Sequence, residues 1–345
     1  MILPTSTTTV ALAIAAAWGV DAGLTQPNPN NPPSIRNIYT FPNNTFIENI
    51  AVRSNSRLLI TSMSVPDLFS IDPTVSNPTA SVIHTFTNIT GIAGIAETAP
   101  DVFALVTATW DLANTRAIPG TLAVWTADFT GSLFGTQQQQ APVIKFLTQI
   151  PNSISINGLA AHPFNPRFLM GADSAIGAVW RIDLLTGQHQ IAFSSPLFTP
   201  TGTEPGKHLG INGLRSSGRH LYFTNSAQGL FGRVAIDRNG NKVGEIEVIS
   251  HSSDAGNAGD VVYDDIALDV LNKKAWIASH PDYAVQVDLV GGSQRLVNDT
   301  RKLLNPTSAA FGRGSLKERR TLYVTNGGEF VGFDLVNNGV VALDF

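Results

Sequence analysis

Apolar and polar positions along this chain alternate in short runs bounded by turn residues, the pattern of strands rather than helices. Residues 211–226 set the unit: Ile-Asn-Gly-Leu-Arg-Ser-Ser-Gly-Arg-His-Leu-Tyr-Phe-Thr-Asn-Ser. Two strand signals, Ile211 to Arg215 and His220 to Thr224, flank a Ser-Ser-Gly-Arg turn. The second is rich in aromatic and β-branched residues, which suit a pleated backbone. The same pair of strands returns five more times. Its first halves are Glu48-Asn49-Ile50, Ala93-Gly94-Ile95, Asn157-Gly158-Leu159, Asp264-Asp265-Ile266 and Thr307-Ser308-Ala309. The six leading residues, Glu48, Ala93, Asn157, Asn212, Asp264 and Thr307, follow one another at intervals of 45, 64, 55, 52 and 43 residues.

A repeat of about 40–50 residues with four strands is a propeller blade. Third strands are expected at 68–72, 179–183, 233–237 and 285–288, several ending in Asp. Fourth strands are expected at 81–86, 141–146, 190–193, 245–249 and 294–297. No stretch of the folded part reads as a long amphipathic helix. The predicted fold is all-β: a six-bladed β-propeller over 35–345, with four antiparallel strands per blade and a central channel. The sixth blade has two claimants for closure. Residues 35–41 read as a fourth strand beside 330–335, and the tail 340–345 competes for the same place. The long second interval contains an insertion, 107–121, that brings Trp110 to one end as a candidate lid.

Composition narrows the function. Hydrophobic residues make up 43% of the 345 and charged residues 14%, which suits strands buried between neighbouring blades. The formal net charge of −4 shows no basic surplus, so nucleic-acid binding has little support. The absence of cysteine excludes disulfides, a thiolate nucleophile and a Cys metal site. Residues 10–20 form an apolar run too short to span a bilayer and of the length of a signal-peptide core. With Val20-Asp21-Ala22 as a small-x-small cleavage site, 1–22 are expected to be a signal peptide and 23–34 a Pro/Asn-rich linker. The expectation is therefore a secreted protein without a membrane span. Sequons at Asn43, Asn88 and Asn298 fit that route and fall in loops between a fourth strand and the next first strand.

The leading residues carry the chemistry. Innermost strands line a propeller's channel, so one leader per blade converges near the axis at one end. Glu48, Asn157, Asn212 and Asp264 then form a ring of carboxylate and amide oxygens, a donor set of the Ca²⁺ type. The same ring serves equally as a hydrogen-bonded polar floor or a water site. Loops at that end place Met63, Trp110, Asp111, Asp173, Gln228, Phe231 and Asn326 as candidate substrate contacts. Candidate catalytic groups there are Asp264, His208, His280, Asn225 and Ser226. His251 belongs to the same end, whereas His162, His189 and His220 fall in turns at the other. An apolar, aromatic mouth with few polar groups suits a hydrophobic small molecule. There is no Gly-x-Ser-x-Gly elbow and no phosphate-binding Gly loop.

These motifs resemble the regucalcin/gluconolactonase family of six-bladed propellers. Glu48 matches the family's glutamate on the first inner strand. Asn157-Gly158-Leu159 and Asn212-Gly213-Leu214 match its Asn-Gly-hydrophobic motif, and Asp264 matches the aspartate that is both metal ligand and general base in the lactonases. The chain departs from the pattern at Glu48-Asn49-Ile50, at Asp264-Asp265 and at Ala93. The motif Ile-Asn-Gly-Leu followed by Leu-Tyr-Phe-Thr-Asn-Ser, and 177–183, are similar to secreted fungal members of the superfamily. Those include proteins similar to the hetero-Diels–Alderases that join a tropolone quinone methide to a humulene-type sesquiterpene. The resemblance implies a cyclase of natural-product biosynthesis that needs no cofactor. It leaves open a Ca²⁺-dependent lactonase, with the metal on Glu48, Asn157, Asn212 and Asp264, and a non-catalytic ligand-binding propeller.

Overall fold

The computed structural model describes residues 32–132, 141–204, 206–255 and 261–345. The expected signal peptide, 1–22, and linker residues 23–31 lie outside the described residues. Six four-stranded antiparallel sheets follow one another, and in the first five the inner strand comes first in the chain. The six inner strands are Ile47–Val52, Gly91–Ala99, Ile156–Ala161, Ile211–Ser217, Val262–Asp269 and Pro306–Phe311. Each touches the inner strands of the blades before and after it, and the last touches the first, so the ring closes. The fold is a six-bladed β-propeller. Among the described residues the one α-helix, Leu316–Arg319, is a single capped turn.

Closure uses both claimants. The third strand of blade 6 is Gly339–Asp344 and its fourth is Ser34–Thr40, so the two ends of the propeller are hydrogen-bonded side by side. Residues 330–335, expected as a strand of that blade, instead form a separate hairpin, Glu329–Val331 with Asp334–Val336. The reason is that the tail supplies a complete ladder against Thr321–Asn326, leaving no edge for the hairpin to pair with. In blade 2 the insertion forms another extra hairpin, Trp110–Asp111 with Arg116–Ala117. The outer strand there is Val143–Gln149 rather than 141–146.

Burial follows from the architecture. Both faces of a blade meet neighbours, so inner and second strands are buried nearly throughout. Apolar clusters run between adjacent blades, as where Met63, Ala93, Leu159 and Trp180 pack together. One charged pair sits inside: Arg53 makes a two-point contact with Asp101, at 2.9 and 2.6 Å, and stacks over Phe129. Both side chains of the pair are 1% exposed.

Each third strand ends on an aspartate that organises the next turn or the blade edge. Asp128 accepts from Thr130 N, Asp183 from Leu185 N, Asp237 from Asn239 N and Asp288 from Val290 N, all at 2.8 or 2.9 Å. These bonds favour the ionised form. The Thr130 hydroxyl holds Asp128 below the usual aspartate range, and the Asn241 and Val290 amides do the same for Asp237 and Asp288. The Arg167 guanidinium brings Asp183 down to about 2. A depressed folded-state value stabilises the fold above the unfolded value, near about 4, and that contribution disappears as pH falls through the folded value. The melting temperature is expected to drop steeply below about pH 4. Asp183→Asn should melt lower than wild type at neutral pH and fall less steeply with acid. Parallel melting profiles for the two proteins would contradict this role for Asp183.

Candidate functional site

The site begins with a backbone irregularity. Every inner strand slips register with its neighbour near its start, and the blade 2 strand slips again between Glu97 and Ala99. The slips near the start lie between Ile47 and Ile50, Ile92 and Ile95, Ile156 and Leu159, Ile211 and Leu214, Tyr263 and Ile266, and Pro306 and Ser308. All six leading residues fall inside these bulges. A bulge re-aims side chains that a flat ladder would send to the sheet faces. Glycine follows Asn157 and Asn212 because the neighbouring blade lies against the backbone there. A Cβ on Gly158 would overlap the Asn212 carbonyl oxygen, and one on Gly213 the Asp265 carboxylate.

Hydroxyls on second strands fill three of the bulges. Thr61 Oγ1 accepts from Asn49 N at 3.0 Å and donates to Ala93 O at 2.7 Å in the next blade. Thr224 accepts from Gly213 N at 2.9 Å and donates to Asp264 O. Thr325 accepts from Ser308 N at 2.9 Å and lies 3.3 Å from Glu48 O. The same groups that satisfy the bulges therefore tie blade 1 to 2, 4 to 5 and 6 to 1.

Four leaders pair two by two. Asn157 Nδ2 donates to Glu48 Oε1 at 2.7 Å. Asn212 Nδ2 donates to Asp264 Oδ1 at 2.7 Å and to Ser226 Oγ at 2.9 Å. Ser226 in turn donates to Tyr263 O at 2.7 Å. His280 Nε2 lies 3.1 Å from Asp264 Oδ2, and with a side chain 33% exposed it is far more open than the leaders. Burial, then the negative charge of Asp264, pushes the Glu48 carboxyl well above its usual range. Burial also raises Asp264, against which the His280 hydrogen bond works.

Below this floor lies a second polar layer that sequence reasoning did not assign. It is built from the second bulge residues. Ser308 Oγ is 3.0 Å from Asn49 Oδ1 and 2.9 Å from Asp265 Oδ2, and Arg215 Nη2 donates to Asp265 Oδ2 at 2.7 Å. Beyond it, at the far end, a cavity of about 330 Å³ is lined by Ala51, Ala96, Leu268, Ala310 and Arg313. The usable signal was the position after each leader, where Asn49, Asp265 and Ser308 are all polar.

The remaining candidates find other partners. Asp173 is fully buried and collects Ser153 Oγ at 2.6 Å, Ile154 N, Ser155 N and the Trp180 indole. Asn225 Nδ2 donates to Leu197 O and Thr199 O, and Asn326 Nδ2 to Lys302 O. These three residues occupy one column, the end of the second strand, and each fastens the loop that precedes its own blade. Gln228 Nε2 bonds Pro196 O and Thr199 O in the loop Asn225 holds. Phe231 is wholly in the core and stacks on Tyr222. Met63 and Trp110 share a buried cluster, with the Trp110 indole on Gly91 O at 3.1 Å. Asp111 holds Asn114 at the tip of the blade 2 hairpin. His208 is half-buried, with Nδ1 3.1 Å from Glu204 O. Asn43, Asn88 and Asn298 are all exposed.

The donor set fits a hard cation. Each amide turns its nitrogen to a carboxylate, Asn157 to Glu48 and Asn212 to Asp264, leaving the oxygens over. Asn212 Oδ1 is buried with no hydrogen-bond partner among the described residues. Oxygen donors of this kind suit Ca²⁺.

No family model matches the chain. Two curated relatives, from Phoma sp and Sarocladium schorii, each carry a name beginning "Putative hetero-Diels-Alderase". Both are 26% identical over 88% of this chain, covering 90% and 80% of their own lengths. The chain is a homologue of these proteins. Among solved structures, regucalcin from Agrobacterium tumefaciens, described as a calcium-binding protein, superposes with a TM-score of 0.60 at 14% identity. That match covers 90% of this chain and 94% of the other and speaks for the fold alone.

The two kinds of polar residue should separate by measurement. Asp173→Ala strands several buried donors and is expected to cost about 3 kcal/mol or more in urea unfolding. Asn212→Ala, which removes the link between Ser226 and Asp264, should cost about 1–3 kcal/mol. The reverse order would contradict the framework role of Asp173.

Proposed function

We propose that this protein is a cyclase of the hetero-Diels–Alder type, acting on a hydrophobic small molecule at the leader end of the channel. The name carried by homologues that align over 88% of the chain supports the reading. The observation that carries it structurally is the fixed set Ser226–Asn212–Asp264–His280, a preorganised group of dipoles with one open member. A cycloaddition forms its bonds without a leaving group and needs no nucleophile. It needs two partners held at near-attack distance and a donor on the heteroatom where charge builds. Asp264 fixes the orientation of the His280 ring, and the open His280 side chain is the donor proposed for the heterodiene oxygen. Because Asn212 holds Asp264 from the other side, the pair does not need to reorganise during the reaction.

Incubation with a quinone-methide precursor and a terpene should give one enantiomer faster than the uncatalysed reaction. His280→Ala and Asp264→Asn should each lower kcat by about 100-fold. Racemic product at the uncatalysed rate would overturn the proposal.

The oxygen ring supports a second reading, a Ca²⁺-dependent lactonase or esterase. Glu48, Asn157, Asn212 and Asp264 would hold the ion, which when bound supplies a Lewis acid for a lactone carbonyl. About one Ca²⁺ per chain by elemental analysis, with a melting temperature lowered by chelation in wild type and unaffected by it in Glu48→Gln, is the expected result of this reading. Lactone hydrolysis unchanged in Asp264→Ala would rule it out. Either activity is proposed for a secreted protein, with the exposed Asn43, Asn88 and Asn298 as glycan acceptors.

A further inference from the structure

The hairpin of blade 6 has no part in the ring, yet it carries the most exposed apolar residues of the leader end. Phe330 is 76% exposed, Val331 62% and Phe333 102%. Exposed large apolar groups in one place mark contact surfaces. The hairpin's base is firmly held: Asn44 N donates to Leu335 O at 2.8 Å, Leu335 N to Asn44 Oδ1 at 2.9 Å, and Leu335 is buried. Its tip turns through Gly332, at φ +65°, so the two phenylalanines stand beyond the blade on a short rigid post. The blade 2 hairpin stands at the same end, with Leu112 46% and nearby Ile118 45% exposed.

We infer that the Phe330–Val331–Phe333 tip inserts into a lipid–water interface and seats the leader end of the propeller against it. Area decides against a protein partner. Two aromatic rings and a valine offer about 500 Å², whereas a stable protein interface takes about 800 Å² per side. A convex apolar tip with a polar base is suited to shallow insertion, whose strength follows the apolar area buried. Charge decides which lipid. The hairpin itself carries Glu329 and Asp334, the loop bonded to its base carries Asp299, Arg301 and Lys302, and the whole chain carries −4. Attraction to an anionic surface is absent from that balance, so insertion is apolar in origin and takes zwitterionic lipid. This inference is independent of the reaction performed in the channel.

Flotation of the full chain with phosphatidylcholine vesicles tests it. Wild type is expected to float weakly and reversibly at millimolar lipid, unaffected by added NaCl. Phe330→Ser/Phe333→Ser should reduce the vesicle-bound fraction about tenfold or more with an unchanged melting temperature. Leu185→Ser, which removes a residue 78% exposed at the opposite end, should float like wild type. Failure of wild type to float, equal loss in Leu185→Ser, or binding that requires anionic lipid and vanishes in salt would overturn the inference. Concentration-dependent dimers abolished by the double substitution would overturn it too, assigning the tip to a second copy. Loss of cyclase activity in the reaction assay leaves the flotation result standing, so the two readings fail separately.

Discussion

The structure depends on one repeated constraint, an inner strand that does not stay in register. A flat propeller strand would send alternate side chains into the two inter-blade layers and leave the axis lined by backbone edges. The bulge breaks that alternation at one level in all six blades. It costs ladder hydrogen bonds, and Thr61, Thr224 and Thr325 recover some of them from the second strand while reaching the next blade. The same distortion that weakens a blade internally thus strengthens the ring. It also brings backbones close enough that Gly158 and Gly213 have no room for a side chain.

Concentrating polar groups at that level sets up an electrostatic problem. Two carboxylates, Glu48 and Asp264, lie buried in one ring, and each raises the cost of ionising the other. Asp264 has His280 and Asn212 on its two oxygens, whereas Asn157 is the one side chain among the described residues that hydrogen-bonds the Glu48 carboxyl. The ring is therefore asymmetric: Asp264 is hydrogen-bonded on both oxygens, whereas Glu48 is the carboxyl that burial and Asp264 push well above its usual range. Both proposed chemistries draw on this asymmetry. A cycloaddition uses the His280 side as a donor, and a cation would draw on the Glu48 side together with the free amide oxygens.

Much of this was legible in the sequence because a repeat constrains many positions at once. Six copies of one strand pair specified the blade count, and the column of leaders specified which side chains meet. The column beside it was harder to read. Asp173, Asn225 and Asn326 have the polarity of ligand-binding residues, but each bonds a loop whose path is not encoded in strand periodicity. Phe231 and Met63 stand at strand ends where pattern alone does not distinguish a pocket wall from the core. Blade 6 shows the same limit. Residues 330–335 and 339–344 are both short apolar runs of strand character. Only the ladder with Thr321–Asn326 decides between them, and that decision leaves the Phe330 hairpin outside.

The two ends of the channel are consequently unlike. At the far end the layer of Asn49, Asp265, Ser308 and Arg215 lies between the leaders and the cavity beyond. Every side chain in that layer has a partner in a neighbouring blade, so opening it would break contacts that hold the ring. At the leader end the polar floor is equally fixed, but the groups above it sit on loops and hairpins fastened at single columns of residues. Changes in those loops alter what reaches His280 without disturbing the bulges beneath. A propeller arranged this way can keep one rigid polar centre and vary its substrates through the mouth, and a mouth seated by Phe330 and Phe333 would meet apolar molecules where they concentrate.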